Sequence, residues 1–177
     1  MAFVVQDPLI PTDDANAYIS MQAFKDYHTE RGNGYTASDT EIEQAIVRAT
    51  DYMDARWTFA GYRLDEDTPQ STECPRAGVY DPIQAWELDG YPVELVEACA
   101  EYALVALTAS LYPSPNVDNS GRQVKSVRKK ADVLEKETEY FGPGASNKQV
   151  WTAFPLADGL MKRTKLLAST RRTLGRS

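Results

Sequence analysis

Apolar residues recur at three- and four-residue spacing from Pro92 to Leu111. Val93, Val96, Ala100, Ala103 and Leu107 form one line, and Leu95, Cys99, Tyr102 and Ala106 form a second beside it. Two adjacent apolar lines predict a helix that packs on two sides. Pro92 suits the first turn, where a missing N–H costs nothing, and Glu94 and Glu97 favour the positive end of the dipole. Ala98, Ala100, Ala103, Ala106 and Ala109 keep the helix thin, and Pro113 with Pro115 ends it. This stretch reads as the central helix of a small domain.

Around it the pattern predicts further elements. Phe3-Val4-Val5, closed by Asp7-Pro8, reads as a brief extended segment that pairs with something distant. Asp13 to Ala17 reads as polar linker, Tyr18-Ile19 as an anchor, and Ser20 as the N-cap of a helix from Met21 to about Arg31, stopped at Gly32. Ser38-Asp39-Thr40-Glu41 is a capping box that opens a second helix with the stripe Ile42, Ala45, Ile46, Ala49 and Met53. That stripe is expected to pack on the central helix. After it, Trp57, Phe59 and Tyr62 are expected across the core edge. Leu64 to Gly90 has no helical period, and so long a loop reads as a contact surface.

The last third differs. Gln123 to Tyr140 mixes β-branched and charged residues and predicts a projecting two-stranded arm. Phe141 to Gln149 reads as linker, and Phe154 to Leu167 as a final amphipathic segment before a basic tail ending with Arg171, Arg172 and Arg176. The predicted fold is mainly α with minor β, a small helical bundle around a central helix at about 92–111. Three parts follow: a helical domain 1–121 containing the loop 64–90, a β-hairpin arm 122–141, and a linker and C-terminal docking segment 142–177. On this division the helical domain folds without the residues beyond Asn147.

Charge sharpens the picture. The net charge of -7 hides a split: through Gly121 there are 21 acidic and 6 basic side chains, and from Arg122 onward 5 acidic and 13 basic. A chain so divided is suited to contacting an anionic surface, or an acidic neighbouring copy, with its last third. No apolar run reaches the roughly 18 to 20 residues of a membrane span, and the first residues lack an export pattern, so a cytoplasmic origin is expected. The two cysteines lie in unlike settings and one histidine, His28, excludes most histidine-based zinc and triad schemes.

No catalytic constellation assembles from these residues, and the chain is expected not to be an enzyme and to need no cofactor or metal. Asp65-Glu66-Asp67 reads as solvated charge, with no downstream ligand to complete a calcium loop. Phosphate-cradling glycine loops are missing. His28 reads as a helix-end residue. Lys125, Arg128, Lys129 and Lys130 on the arm, with Lys162, Arg163, Lys165, Arg171 and Arg172 behind them, form a basic stripe that could track phosphates or dock on acidic bodies of neighbouring copies.

Several motifs taken together carry a resemblance. They are Met1-Ala2-Phe3-Val4-Val5-Gln6-Asp7, Asp14-Ala15-Asn16-Ala17-Tyr18-Ile19-Ser20, Ala49-Thr50-Asp51-Tyr52-Met53-Asp54, Gly61-Tyr62-Arg63 and Cys74-Pro75-Arg76-Ala77-Gly78-Val79-Tyr80-Asp81. In order and spacing they resemble the head-tail adaptor (head completion) proteins of tailed phages, some of which carry a DnaT-like single-stranded-DNA-binding label. The similarity runs from Met1 to about Ser110, and departs where the family usually has tryptophan and this chain has Cys74.

The resemblance implies a mainly helical subunit with a hairpin, in a ring, commonly of twelve copies, that sits in the virion neck after assembly in the host cytoplasm. Portal protein and tail-completion or tail-terminator proteins are the implied partners, with packaged DNA passing near and no membrane. Portal gripping is expected of the C-terminal segment, through Leu156, Leu160, Leu166 and Leu167 with Arg163, Lys165, Arg171 and Arg172. Contact between subunits is expected of Lys125, Arg128, Lys129 and Lys130. A DnaT-like single-strand-binding replication protein is the alternative.

Overall fold

The computed structural model describes residues 2–64, 69–81, 86–112, 124–129, 136–140 and 151–168. Asp65-Glu66-Asp67, the linkers at 114–121 and 141–149, Lys130, and the tail with Arg171, Arg172 and Arg176 lie outside them. Four helices dominate: α1 Met21–Glu30, α2 Asp39–Arg56, α3 Val93–Thr108 and α4 Pro155–Arg163. Two short antiparallel pairs accompany them, β1 Tyr62–Arg63 with β2 Arg76–Ala77, and β3 Val124–Lys129 with β4 Lys136–Tyr140. The chain is therefore mainly α with minor β. It divides into a body of Met1–Leu111 with Ala153–Ser177, and a smaller unit of Tyr112–Thr152 that contains the β3–β4 hairpin. Among the described residues no helix is long and apolar enough to cross a membrane.

The helices begin where side chains satisfy their first amides. Ser20 Oγ accepts from Ala23 N at the start of α1. At α2 the Ser38 hydroxyl accepts from Glu41 N while the Glu41 carboxylate accepts from Ser38 N, the reciprocal box that the sequence predicts. Gly32, at φ +67, turns the chain out of α1. Ile42, Ala45, Ile46, Ala49 and Met53 are all buried, and α2 lies along α3, which also meets α1 and α4. α3 is thus the central helix. Its second line, Leu95, Cys99, Tyr102 and Ala106, is fully buried, whereas the first is covered only in part: Val93 is exposed, and Val96 and Leu107 are half-buried.

Five expectations change. The extended segment pairs nearby rather than far away: Val5 bridges Ala17, with Asn16 N donating to Val4 O and Gln6 N to Ala17 O. Ala15, Asn16 and Ala17 are consequently buried and are not linker. Tyr62 is exposed, while Phe59 is buried and Trp57 half-buried. His28 is a core residue as well as a helix-end residue. Its Nε2 donates to Ala100 O at 3.1 Å and its Nδ1 accepts from Asn33 at 3.0 Å, a neutral ring whose burial lowers its pKa.

The fifth change concerns the C-terminal segment. α4 packs on α3, and Asp158 in its first turn accepts from Arg56 at 2.6 Å and from Tyr102 Oη at 2.6 Å. Tyr52, Tyr102 and Phe154 meet edge to face around that pair. Beyond α4 the chain runs antiparallel to residues 58–60, with Ala60 N donating to Leu166 O at 2.7 Å and Ala168 N to Thr58 O at 2.8 Å. The segment from Ala153 belongs to the body. A chain truncated after Asn147 is expected to lose its cooperative unfolding transition rather than keep a folded domain. Asp158→Ala, which takes the carboxylate from Arg56 and Tyr102, should cost about 3 to 5 kcal/mol, measured by urea denaturation.

Candidate interaction surface

The loop between α2 and α3 is held by side chains from distant parts of the chain. Tyr18 Oη donates to Asp54 Oδ1, Glu73 N donates to Asp54 Oδ2 at 3.1 Å, and Cys74 N donates to Tyr18 Oη at 3.2 Å. Burial raises the Asp54 pKa from its ordinary value of 3.8 to about 7, and the Tyr18 hydroxyl is pushed up as well, by burial first and then by Asp54. Gln6, buried, spans the other side: its Oε1 accepts from Thr12 N and Thr72 Oγ, and its Nε2 donates to the carbonyls of Asp7 and Ile10. Tyr91 Oη sits 2.9 and 3.0 Å from the carbonyls of Gln6 and Tyr18. These bonds fix residues 6–12, 70–76 and 91 against one another.

Two glycines allow close passage there. Gly61 has φ +70, and a Cβ would stand 2.1 Å from Ala77 O. Gly90, also at φ +70, lets the chain pass Pro8 and Leu9, whose Cδ2 would lie 3.0 Å from a Cβ. In the β1–β2 pair Arg63 stands opposite Arg76, a repulsive placement offset by Glu73, whose carboxylate is 2.7 Å from Arg76 and 3.9 Å from Arg63. Arg76 also donates to the carbonyls of Ala60, Gly61 and Glu73.

On this scaffold six large apolar side chains keep more than half of their surface exposed: Leu9, Ile10, Tyr62, Tyr80, Trp86 and Val93. Contacts join their segments. The Tyr62 ring lies over Gly78, Tyr80 bridges Glu87, Leu88 N donates to Val79 O, Asp81 N to Trp86 O, and Gly90 abuts Leu9. The sequence signals the loop as a contact surface, but nothing in periodicity singles out Leu9 or Ile10, and Val93 falls on an apolar line expected to pack inside.

Most cations of the body are engaged within it. Lys25 pairs with Asp39, Arg31 with Glu97, Arg56 with Asp158, and Arg63 and Arg76 with Glu73. Arg48 on α2 and Lys162 and Arg163 at the end of α4 remain exposed, Arg48 Nε donating to Gln44 O of its own helix. Among the residues expected to grip a partner, Leu156 is exposed on the first turn of α4, Arg163 is exposed at its last residue and Leu167 is half-buried. Leu160 and Leu166 are buried, so they are core residues and not an exposed anchor. Lys165, at φ 59, is ion-paired with buried Asp81. Lys125, Arg128 and Lys129 all fall on β3, opposite β4 in an antiparallel register.

Residues 1–173 match the model of the family described as "Putative DnaT-like ssDNA binding protein". The chain belongs to that family. No curated protein and no solved structure matches it. In this family member five of the six cations before Gly121 are held by carboxylates, and among the described cations of the body Arg48, Lys162 and Arg163 are exposed without an ion pair. Among the described residues no three His, Cys, Asp or Glu side chains are placed to hold a metal ion.

Two outcomes follow for the DnaT-like body. The folded protein holds the Asp54 proton more tightly than the unfolded chain, so this residue's contribution is fully present below about pH 4 and lost as pH rises through about 7. Asp54→Asn should flatten the pH dependence of the denaturation midpoint between those values. Gly61→Ala, strained in conformation and overpacked against Ala77 O, should cost roughly 2 to 5 kcal/mol, against roughly 1 to 2 kcal/mol for Gly32→Ala in open space. The same urea titrations read both.

Proposed function

We propose that this protein is a non-enzymatic virion structural protein, a head-tail adaptor that forms an oligomeric ring between the portal and the tail or tail-completion proteins. The observation that carries the reading is the disposition of charge. Five of the six basic side chains before Gly121 are engaged by carboxylates of the same body, while the chain's positive surplus lies after it. Such a subunit attracts the basic part of another copy and repels phosphates. The resemblance carried by the motif order from Met1 to Ser110 supports a place in the neck. Among the described residues neither the histidine nor the cysteines are activated: His28 is occupied on both nitrogens, and burial pushes the Cys99 thiol up to about 12 and the Cys74 thiol above its ordinary value.

The family description favours a second reading, a single-stranded-DNA-binding replication protein. Five of the six cations before Gly121 are engaged, so phosphate contacts would fall to Lys125, Arg128, Lys129 and Lys130, to Lys162 and Arg163, and to the basic tail. One pair of measurements separates the two. Light scattering after size exclusion, with the portal encoded in the same genome, should show the chain moving into the portal peak at a fixed whole-ring ratio. Absence of that shift, together with salt-sensitive oligonucleotide binding lost in Arg128→Ala/Lys129→Ala/Lys130→Ala, would replace the adaptor reading by the second.

A further inference from the structure

We propose that the surface formed by Leu9, Ile10, Tyr62, Tyr80, Trp86 and Val93 is the seat for the β3–β4 hairpin of a second copy of this chain. The inference rests on the ring reading and names the two faces that meet. Six large apolar side chains exposed on joined segments exceed the scattered exposure of an ordinary surface and mark a docking site. Charge selects the occupant. Asp7, Glu87, Asp89 and Glu94 lie within three residues of the surface's apolar side chains in the sequence, and none of them is ion-paired among the described residues. The cations nearby, Arg63, Arg76 and Lys165, are engaged by Glu73 and Asp81.

The seat therefore joins exposed apolar side chains with carboxylates that no cation pairs with among the described residues. β3 has the complementary composition, Val124-Lys125-Ser126-Val127-Arg128-Lys129 with three cations, two valines and no acid; β4 sets Glu137 opposite Arg128 and Glu139 opposite Ser126, so the two strands together carry four cations against two carboxylates. β3 pairs only with β4 among the described residues, so its outer edge has no ladder partner. A nucleic-acid strand would find the aromatics, but it would bring phosphates to the seat's carboxylates. Because seat and hairpin are different surfaces, each copy can give one and receive one, the head-to-tail arrangement that closes into a ring.

The test places p-benzoylphenylalanine at position 86 of the full chain and assembles an equal mixture of 14N- and 15N-labelled copies on portal. Irradiation should give mixed-label cross-links from position 86 to peptides containing residues 124–129. Lys125→Glu/Arg128→Glu/Lys129→Glu should raise the concentration for half-assembly by about tenfold or more, and Asp89→Lys/Glu94→Lys in the same chain should recover part of it. Rings that form with only same-label cross-links, or with none to 124–129, would overturn the seat and leave the ring reading standing. Failure of the unaltered chain to form rings on portal would overturn both. Cross-links to an added single-stranded oligonucleotide in place of peptide would give the surface to nucleic acid.

Discussion

The body is closed by one buried ion pair. Arg56 is the last residue of α2 and Asp158 lies in the first turn of α4, 102 positions later, with Tyr102 of α3 donating to the same carboxylate. Three helices are thereby tied through four side-chain groups if Tyr52, which accepts from Arg56, is included. An ion pair in such a place contributes less through attraction than through what its absence would leave, an uncompensated charge against aromatic rings. Apolar packing along α2 and α3 supplies the bulk of the burial, while the pair fixes where α4 must lie. Burial and the Asp158 contact together raise the Tyr102 pKa, which keeps that hydroxyl a donor.

Much of this was legible in the residues. A capping box is a local device, closed within four positions, so Ser38 and Glu41 could be read as such and were. The stripe of α2 and the two lines of α3 follow from a period of 3.6 and needed no knowledge of what they touch. α4 shows the limit of that reasoning. Its spacing says that one face is apolar, and the basic residues around it suggested a partner, yet the same apolar face is satisfied inside the molecule by α3. Periodicity shows that a face is buried without showing against what.

Long-range polar contacts escape sequence reading for a related reason. Nothing local marks Gln6 as the residue that would bridge Thr12 and Thr72, or Asp54 as the acceptor for Tyr18 and the Glu73 amide. Asp13 to Ala17 looks like linker because it is polar and small, but Asn16 uses its side chain on Val4 N and Ala2 O, and the alanines beside it can then be buried. Polar composition alone predicts surface. Here it marks groups that satisfy one another across the fold.

The same satisfied network explains why the apolar surface stays outside. A loop with unmet amides could fold its aromatics inward and expose its backbone to water. Residues 70–76 cannot do so cheaply, since Gln70 donates to Thr72 O and Pro75 O, Arg76 holds three carbonyls, and Asp54 holds Glu73 N. Turning Tyr62, Tyr80 or Trp86 inward would break several buried hydrogen bonds, each worth about 1 kcal/mol or more when its partner is left unmet. The surface is thus held in a set shape before any partner arrives, and a preformed face loses less entropy on docking. That economy would serve the proposed ring, in which one contact geometry recurs around an axis.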